Sequence, residues 1–189
     1  MNLPNKLTVL RIILIPIFVA VYFLTVIPYN YVISAGVFLI AALTDFLDGH
    51  IARKYNLVTD LGKFLDPIAD KILVSTALII MLVVPVGGVM ILPWYCAIAV
   101  AVILARELLV SGFRMLAASK GKVLAADWSG KIKTTIQDAS IVILLVSANF
   151  ISCSWINVIG LIALLLATLL TIYSGAECLI KNRAIIATK

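Results

Sequence analysis

Histidine is nearly absent from this 189-residue chain, which has His50 alone, and cysteine is scarce, with Cys96, Cys153 and Cys178. Neither the number nor the spacing suits a zinc centre or a disulfide framework. The three thiols are expected to be small apolar packing residues. Acidic side chains are also few, nine against 15 Lys and Arg. The most informative absence is of charge altogether: residues 12–44, 72–105 and 139–176 hold no Asp, Glu, Lys or Arg. Hydrophobic content of 63% and a mean hydropathy of +1.18 far exceed the roughly 45–50% apolar usage of soluble domains. A water-soluble fold is thereby excluded, and the expected class is an all-α integral membrane protein.

A single crossing needs about 20 apolar residues, so each uncharged tract has room for two. Turn residues sit near the middle of each, at Pro28-Tyr29-Asn30, Pro85-Val86-Gly87-Gly88 and Asn149 to Ser154. Three hairpins, or six transmembrane helices, follow, in a single domain spanning 1–189. All 15 basic residues fall where hairpins join one another or at the termini. The positive-inside bias then places both termini and both long connections in the cytoplasm, for a multi-pass protein of the cell membrane. The net charge of +6 suits anionic lipid headgroups. Nucleic acid is a poor partner, because the basic residues are divided among membrane-flanking segments. Residues 1–11 are expected to form a short amphipathic segment carrying Lys6 and Arg11, with the first crossing starting at about residue 8. That crossing is long and lacks a small-residue cleavage pattern, so no cleavable signal peptide is expected.

The segment from Asp45 to Asp70 holds five of the nine acidic residues. Asp45 and Asp48 are three apart, Asp66 and Asp70 four apart, so each pair shares a helix face. Facing helix ends would bring four carboxylates together beside lipid, which is very unfavourable unless cations neutralise them. Carboxylates without Cys or His partners select hard cations such as Mg2+, Mn2+ or Ca2+. Two such metals suit phosphoryl transfer. A lipid-linked diphosphate would set its polar end at the surface and its tails in the bilayer, so a site at the cytoplasmic face is expected.

Other polar residues admit two readings each. Asn5, Thr8 and Arg11 either anchor the first helix or rim the site. His50 is expected to be packed or solvated, and Asp60 to cap the helix after it, which should start at about Lys63 with Asp66, Pro67 and Asp70 in its opening turns. Arg106 and Arg114 are eight apart, roughly on one face; Arg106 either pairs with a carboxylate or binds an anionic substrate group. Asp127 or Ser129 could cap the fifth helix. Lys131 and Lys133 stand at its start, where the dipole disfavours cations, so an anion nearby is expected. The roles of Glu107 and Asp138 stay open.

The residues Asp45-x-x-Asp48-Gly49-x-x-Ala52-Arg53, then eight residues, then Gly62-x-x-x-Asp66-x-x-x-Asp70 resemble the full motif of the CDP-alcohol phosphotransferase family. The resemblance extends to chain length and the six-helix plan. It implies that Asp45, Asp48 and Asp66 ligate two divalent cations, Mg2+ or Mn2+, and that Asp70 joins them and is the base on the attacking hydroxyl. It implies a CDP pocket formed by Gly49, Ala52, Arg53 and Gly62. It further implies attack of an alcohol on the β-phosphorus of a CDP-lipid with loss of CMP, and a homodimer. The opening NLPNKLTVLR, the segment from Arg106-Glu107 to Arg114, and Gly130 to Thr134 with Gln137 resemble the phosphatidylglycerophosphate synthase branch. That branch implies CDP-diacylglycerol and sn-glycerol 3-phosphate as substrates, with Arg106, Arg114, Lys131 and Lys133 as cations for the acceptor phosphate.

The same chemistry with inositol phosphate, serine or phosphatidylglycerol as acceptor is the nearest rival. An intramembrane prenyltransferase usually needs more helices and does not require the glycines in this frame. A cation transporter would place its acidic site near the bilayer midplane, whereas these charges gather at one face.

Overall fold

The computed structural model describes residues 3–54, 60–119, 128–150 and 153–181, without the side chains of 3–5, 45–54, 60–67, 89 and 118–119. Six helices account for nearly all of it: α1 Leu3–Phe23, α2 Asn30–Lys54, α3 Asp60–Val83, α4 Cys96–Ser119, α5 Trp128–Asn149 and α6 Ser154–Lys181. The turns fall where the sequence placed them. Between α1 and α2, the Asn30 amide donates to the Tyr22 carbonyl at 2.8 Å, satisfying a helix-end carbonyl, and Tyr29 takes the left-handed φ of 58° that reverses the chain. Between α3 and α4 the tight turn is a two-stranded hairpin, β1 Pro85–Val86 with β2 Val89–Met90. Gly87 and Gly88, at φ 56° and 82°, supply the two positive values that a two-residue hairpin loop requires.

The first eleven residues depart from expectation: α1 runs unbroken from Leu3, so the basic opening is the first three turns of the helix, not a separate segment. α3 starts at Asp60, three residues earlier than Lys63. Asp66, Pro67 and Asp70 therefore stand in the second and third turns, beyond the opening turn where the helix dipole acts most strongly.

α2 and α5 are central. α2 packs on α1, α5 and α3, and α5 on α6, α2 and α3, while α4 rests on α6 and α3. One core of apolar side chains runs through the bundle, including Phe18, Phe38, Leu78, Ile103, Ile141 and Leu144. Small hydroxyl residues thin the interior faces, and Thr44, Ser140, Ser147, Thr168 and Thr171 each return a hydroxyl proton to a carbonyl three or four residues back. α5 and α6 approach closely at Gly160, where a Cβ would lie 2.7 Å from Leu144 Cγ. At the same end, Asn149 of α5 accepts from the Val32 N–H in the first turn of α2 at 2.9 Å.

The exterior is apolar. Leu108 and Leu109 on α4 and Leu165, Leu169 and Ile172 on α6 are all more than half exposed, a surface made for lipid. Among the described residues, three helices are long and apolar enough to cross a bilayer: Lys6–Phe23, Cys96–Ala117 and Ser154–Lys181. Asn30–Thr44 of α2 forms a shorter apolar helix. α5 falls outside the set because Lys131, Lys133 and Asp138 interrupt its N-terminal half. Cys96 and Cys178 are buried as expected, whereas Cys153 is exposed just before α6.

Candidate active site

α2 and α3 carry the two aspartate pairs, Asp45 and Asp48 near the end of α2, Asp66 and Asp70 in α3. Five residues, 55–59, join the helices, which limits the separation of their ends to about 20 Å. The side chains of Asp45, Asp48 and Asp66, and those of Gly49, Ala52, Arg53 and Gly62, lie outside the described residues, as do His50 and Asp60. Among the described residues no three His, Cys, Asp or Glu side chains gather to hold a metal. Of the candidate ligand set the structure thus describes Asp70, and Asp70 opens into a cavity.

That cavity has a volume of about 180 Å³ and is walled by α3, α4 and α5. α3 contributes Asp70, Lys71, Val74 and Ser75; α4 contributes Leu104, Arg106, Glu107 and Arg114; α5 contributes Gly130, Lys131, Thr134 and Gln137. Four cations face two carboxylates in it. The sequence-predicted cations Arg106, Arg114 and Lys131 are brought together with Asp70, although more than forty residues separate α3 from α5. The eight-residue spacing of Arg106 and Arg114 puts both on the cavity face of α4.

Lys133 is placed differently. It does not line the cavity; it is fully buried, and its ammonium pairs with Glu107, which does line it. Glu107 also meets Arg106, with Arg106 Nη1 3.4 Å from Glu107 Oε1. Arg106 is held from its other side by α6, where Nη2 donates to Ser174 Oγ at 2.8 Å. Gly175 beside it leaves room for the arginine stem, since a Cβ there would come within 3.0 Å of Arg106 Cγ. Gly130 gives similar clearance on α5, with 4.0 Å to Arg106 Nη2. The two readings of Arg106 are therefore compatible: it is structurally paired, and it faces the cavity. Lys131 is exposed at the polar end, its ammonium 5.3 Å from the centre of the Trp128 ring.

Thr8 and Arg11 are buried in the bundle and do not line this cavity. Ser129 does not cap α5; its hydroxyl donates to Glu177 Oε2 at 2.7 Å, tying α5 to α6. Asp127 lies outside the described residues. Asp138 borders a different feature, an open groove of about 720 Å³ walled by Leu39, Ala42 and Leu43 of α2 and by Ala139, Val142 and Ile143 of α5. Lys131 and Thr134 border both groove and cavity.

Sequence reasoning missed Ser174 and Gly175. Their signal was a small polar pair inside an otherwise apolar helix, which marks a close approach.

The four candidate aspartates on α2 and α3 offer oxygen donors alone, a chemistry that would suit hard divalent cations, and Asp70 opens onto a cation-rich cavity that would suit an anionic substrate. The comparisons with known proteins point to a family. The CDP-alcohol phosphatidyltransferase family model matches residues 1–173. Three curated relatives, from Bacillus subtilis (40% identical, covering 96% of this chain and 95% of the relative), Shigella flexneri serotype 5b (36%, 97% and 96%) and Escherichia coli K12 (36%, 97% and 96%), bear the name CDP-diacylglycerol--glycerol-3-phosphate 3-phosphatidyltransferase. Cavity, charge and sequence thus converge, and the chain belongs to the CDP-alcohol phosphatidyltransferase family.

Proposed function

We propose that this protein transfers the phosphatidyl group of CDP-diacylglycerol to sn-glycerol 3-phosphate, giving phosphatidylglycerophosphate and CMP. The observation that carries this reading is the single cavity in which Asp70 meets Arg106, Arg114 and Lys131. A doubly charged acceptor phosphate needs several cations, and an uncharged acceptor would leave these three without that role. Asp70 takes the proton of the acceptor's primary hydroxyl; the oxygen bonds to the β-phosphorus, and the bond from that phosphorus to CMP breaks. Asp45, Asp48, Asp66 and Asp70 would hold two divalent cations, Mg2+ or Mn2+, which neutralise the diphosphate and stabilise the leaving CMP. Gly49, Ala52, Arg53 and Gly62 are read as the CDP pocket. Lys133 acts through Glu107, keeping that carboxylate beside Arg106.

The groove between α2 and α5 suits the acyl chains: it is mostly apolar and shares Lys131 and Thr134 with the cavity. The working topology is six crossings of the cell membrane, both termini and the site on the cytoplasmic side, in a homodimer. Thiol labelling in sealed vesicles tests it, since Cys153 is exposed and should react only from the outer side.

The direct experiment is CMP release from CDP-diacylglycerol by purified protein in detergent with Mg2+ or Mn2+. Glycerol 3-phosphate, inositol phosphate, serine and phosphatidylglycerol are offered in turn, with Asp66→Asn and Asp70→Asn as controls. Release with glycerol 3-phosphate alone, lost in both variants, is the expected result. Release with another acceptor retains the chemistry and overturns the acceptor.

A further inference from the structure

The proposed reaction uses the carboxylate and the cations of the cavity but leaves one of its groups without a task. Gln137 lines the cavity, is 1% exposed, and its Oε1 has no hydrogen-bond partner among the described residues. A buried amide left unsatisfied is unfavourable unless something else supplies the bond. Its neighbours in the wall do not: Val74 and Leu104 are apolar, and the Thr134 hydroxyl is spent on the Gly130 carbonyl at 2.8 Å.

Position says what the missing partner is. Gly130, Thr134 and Gln137 follow one face of α5 at i, i+4 and i+7, with Lys131 flanking them at the polar end. Lys131 and Gln137 are separated by about 9 Å of helix rise, a span suited to a three-carbon phosphate ester held between them. An acceptor whose phosphate lies among Arg106, Arg114 and Lys131 presents its carbon chain to Gln137. The terminal hydroxyl is consumed in the reaction and belongs to Asp70; the hydroxyl on the central carbon is not. An amide can both donate to and accept from such a group.

We propose that Gln137 is a specificity-determining residue that hydrogen-bonds the central, non-reacting hydroxyl of the acceptor. It thereby separates a vicinal-diol phosphate from an alkanol phosphate. This rests on glycerol 3-phosphate being the acceptor.

The test compares sn-glycerol 3-phosphate with 3-hydroxypropyl phosphate, the same ester without the central hydroxyl, by CMP release from the wild-type protein and from Gln137→Met. In the wild type, removing the hydroxyl should lower kcat/KM about tenfold or more, the worth of one buried hydrogen bond. In Gln137→Met, activity toward glycerol 3-phosphate should fall by a similar factor, activity toward 3-hydroxypropyl phosphate should barely change, and the KM for CDP-diacylglycerol should stay put. Equal use of both acceptors by the wild type overturns the proposal without any variant. So does a Gln137→Met protein that still discriminates as the wild type does, or that loses both activities equally. A wild-type protein inactive with glycerol 3-phosphate but active with another acceptor refutes the acceptor assignment itself, a result distinct from the other three.

Discussion

Removing the carboxylate of Glu107 should harm this protein more than removing the ammonium it holds. Glu107 stands between two cations, the fully buried Lys133 and Arg106, and its side chain keeps 20% of its surface exposed. Glu107→Gln leaves Lys133, with a side chain only 1% exposed, and Arg106 close together without that anion. Stranding a buried charge in this way costs about 3–5 kcal/mol. In Lys133→Met the apolar stem is replaced, and Glu107 retains Arg106 at 3.4 Å and its contact with solvent. The expected loss there is about 1.5–3 kcal/mol, that of a hydrogen bond to a charged group. The double variant removes anion and ammonium together, so it should be less damaged than the sum of the singles by about 2 kcal/mol, a coupling typical of residues in one network. Unfolding can be followed by titrating detergent micelles with dodecyl sulfate and reading maleimide access to the buried Cys96 and Cys178 in a Cys153→Ser background, which removes the exposed thiol. Additive singles, or a Lys133→Met protein as unstable as Glu107→Gln, would refute the view that Glu107 is the shared anion of this cluster.

Gly175→Ala places a methyl 3.0 Å from Arg106 Cγ; the arginine must shift, and KM for glycerol 3-phosphate should rise about three- to tenfold, on the scale of a misplaced positioning contact, while the KM for CDP-diacylglycerol holds. Gly160→Ala drives a Cβ to 2.7 Å from Leu144 Cγ and should cost about 1–3 kcal/mol as overpacking between α5 and α6, measured by the same micelle titration. Gly36→Ala and Gly112→Ala, with no atom within 4 Å of the new methyl, should be neutral or stabilise by up to about 1 kcal/mol. Chelating divalent cations should abolish CMP release, and adding Mg2+ or Mn2+ should restore it.

Much of this arrangement could be read from charge and spacing. The uncharged tracts with turn residues at their centres foretold all three helical hairpins, and the eight-residue interval between Arg106 and Arg114 foretold their common face. What escaped depended on contacts between distant segments. Lys133 looked equivalent to Lys131 because both stand at the start of α5, but two residues rotate a helical side chain by about 200°, turning one to the cavity and the other to Glu107. Ser129 has the chemistry of a helix cap, yet Glu177 from α6 claims its hydroxyl. The start of α3 was misjudged because Pro67 resembled a first-turn proline, whereas the helix begins seven residues before it.

The hold of α6 on Arg106 bears on how the protein is made. Every described residue that lines the cavity at Asp70 is encoded before residue 138, but the hydroxyl that steadies Arg106 belongs to Ser174. During synthesis α3, α4 and α5 emerge first, and their cations converge without that brace until α6 has joined the bundle. On the proposed acceptor role, competence would arrive late in translation, with a helix that supplies no cavity wall among the described residues, so a half-finished chain would not yet hold its arginine in place for a soluble phosphate ester.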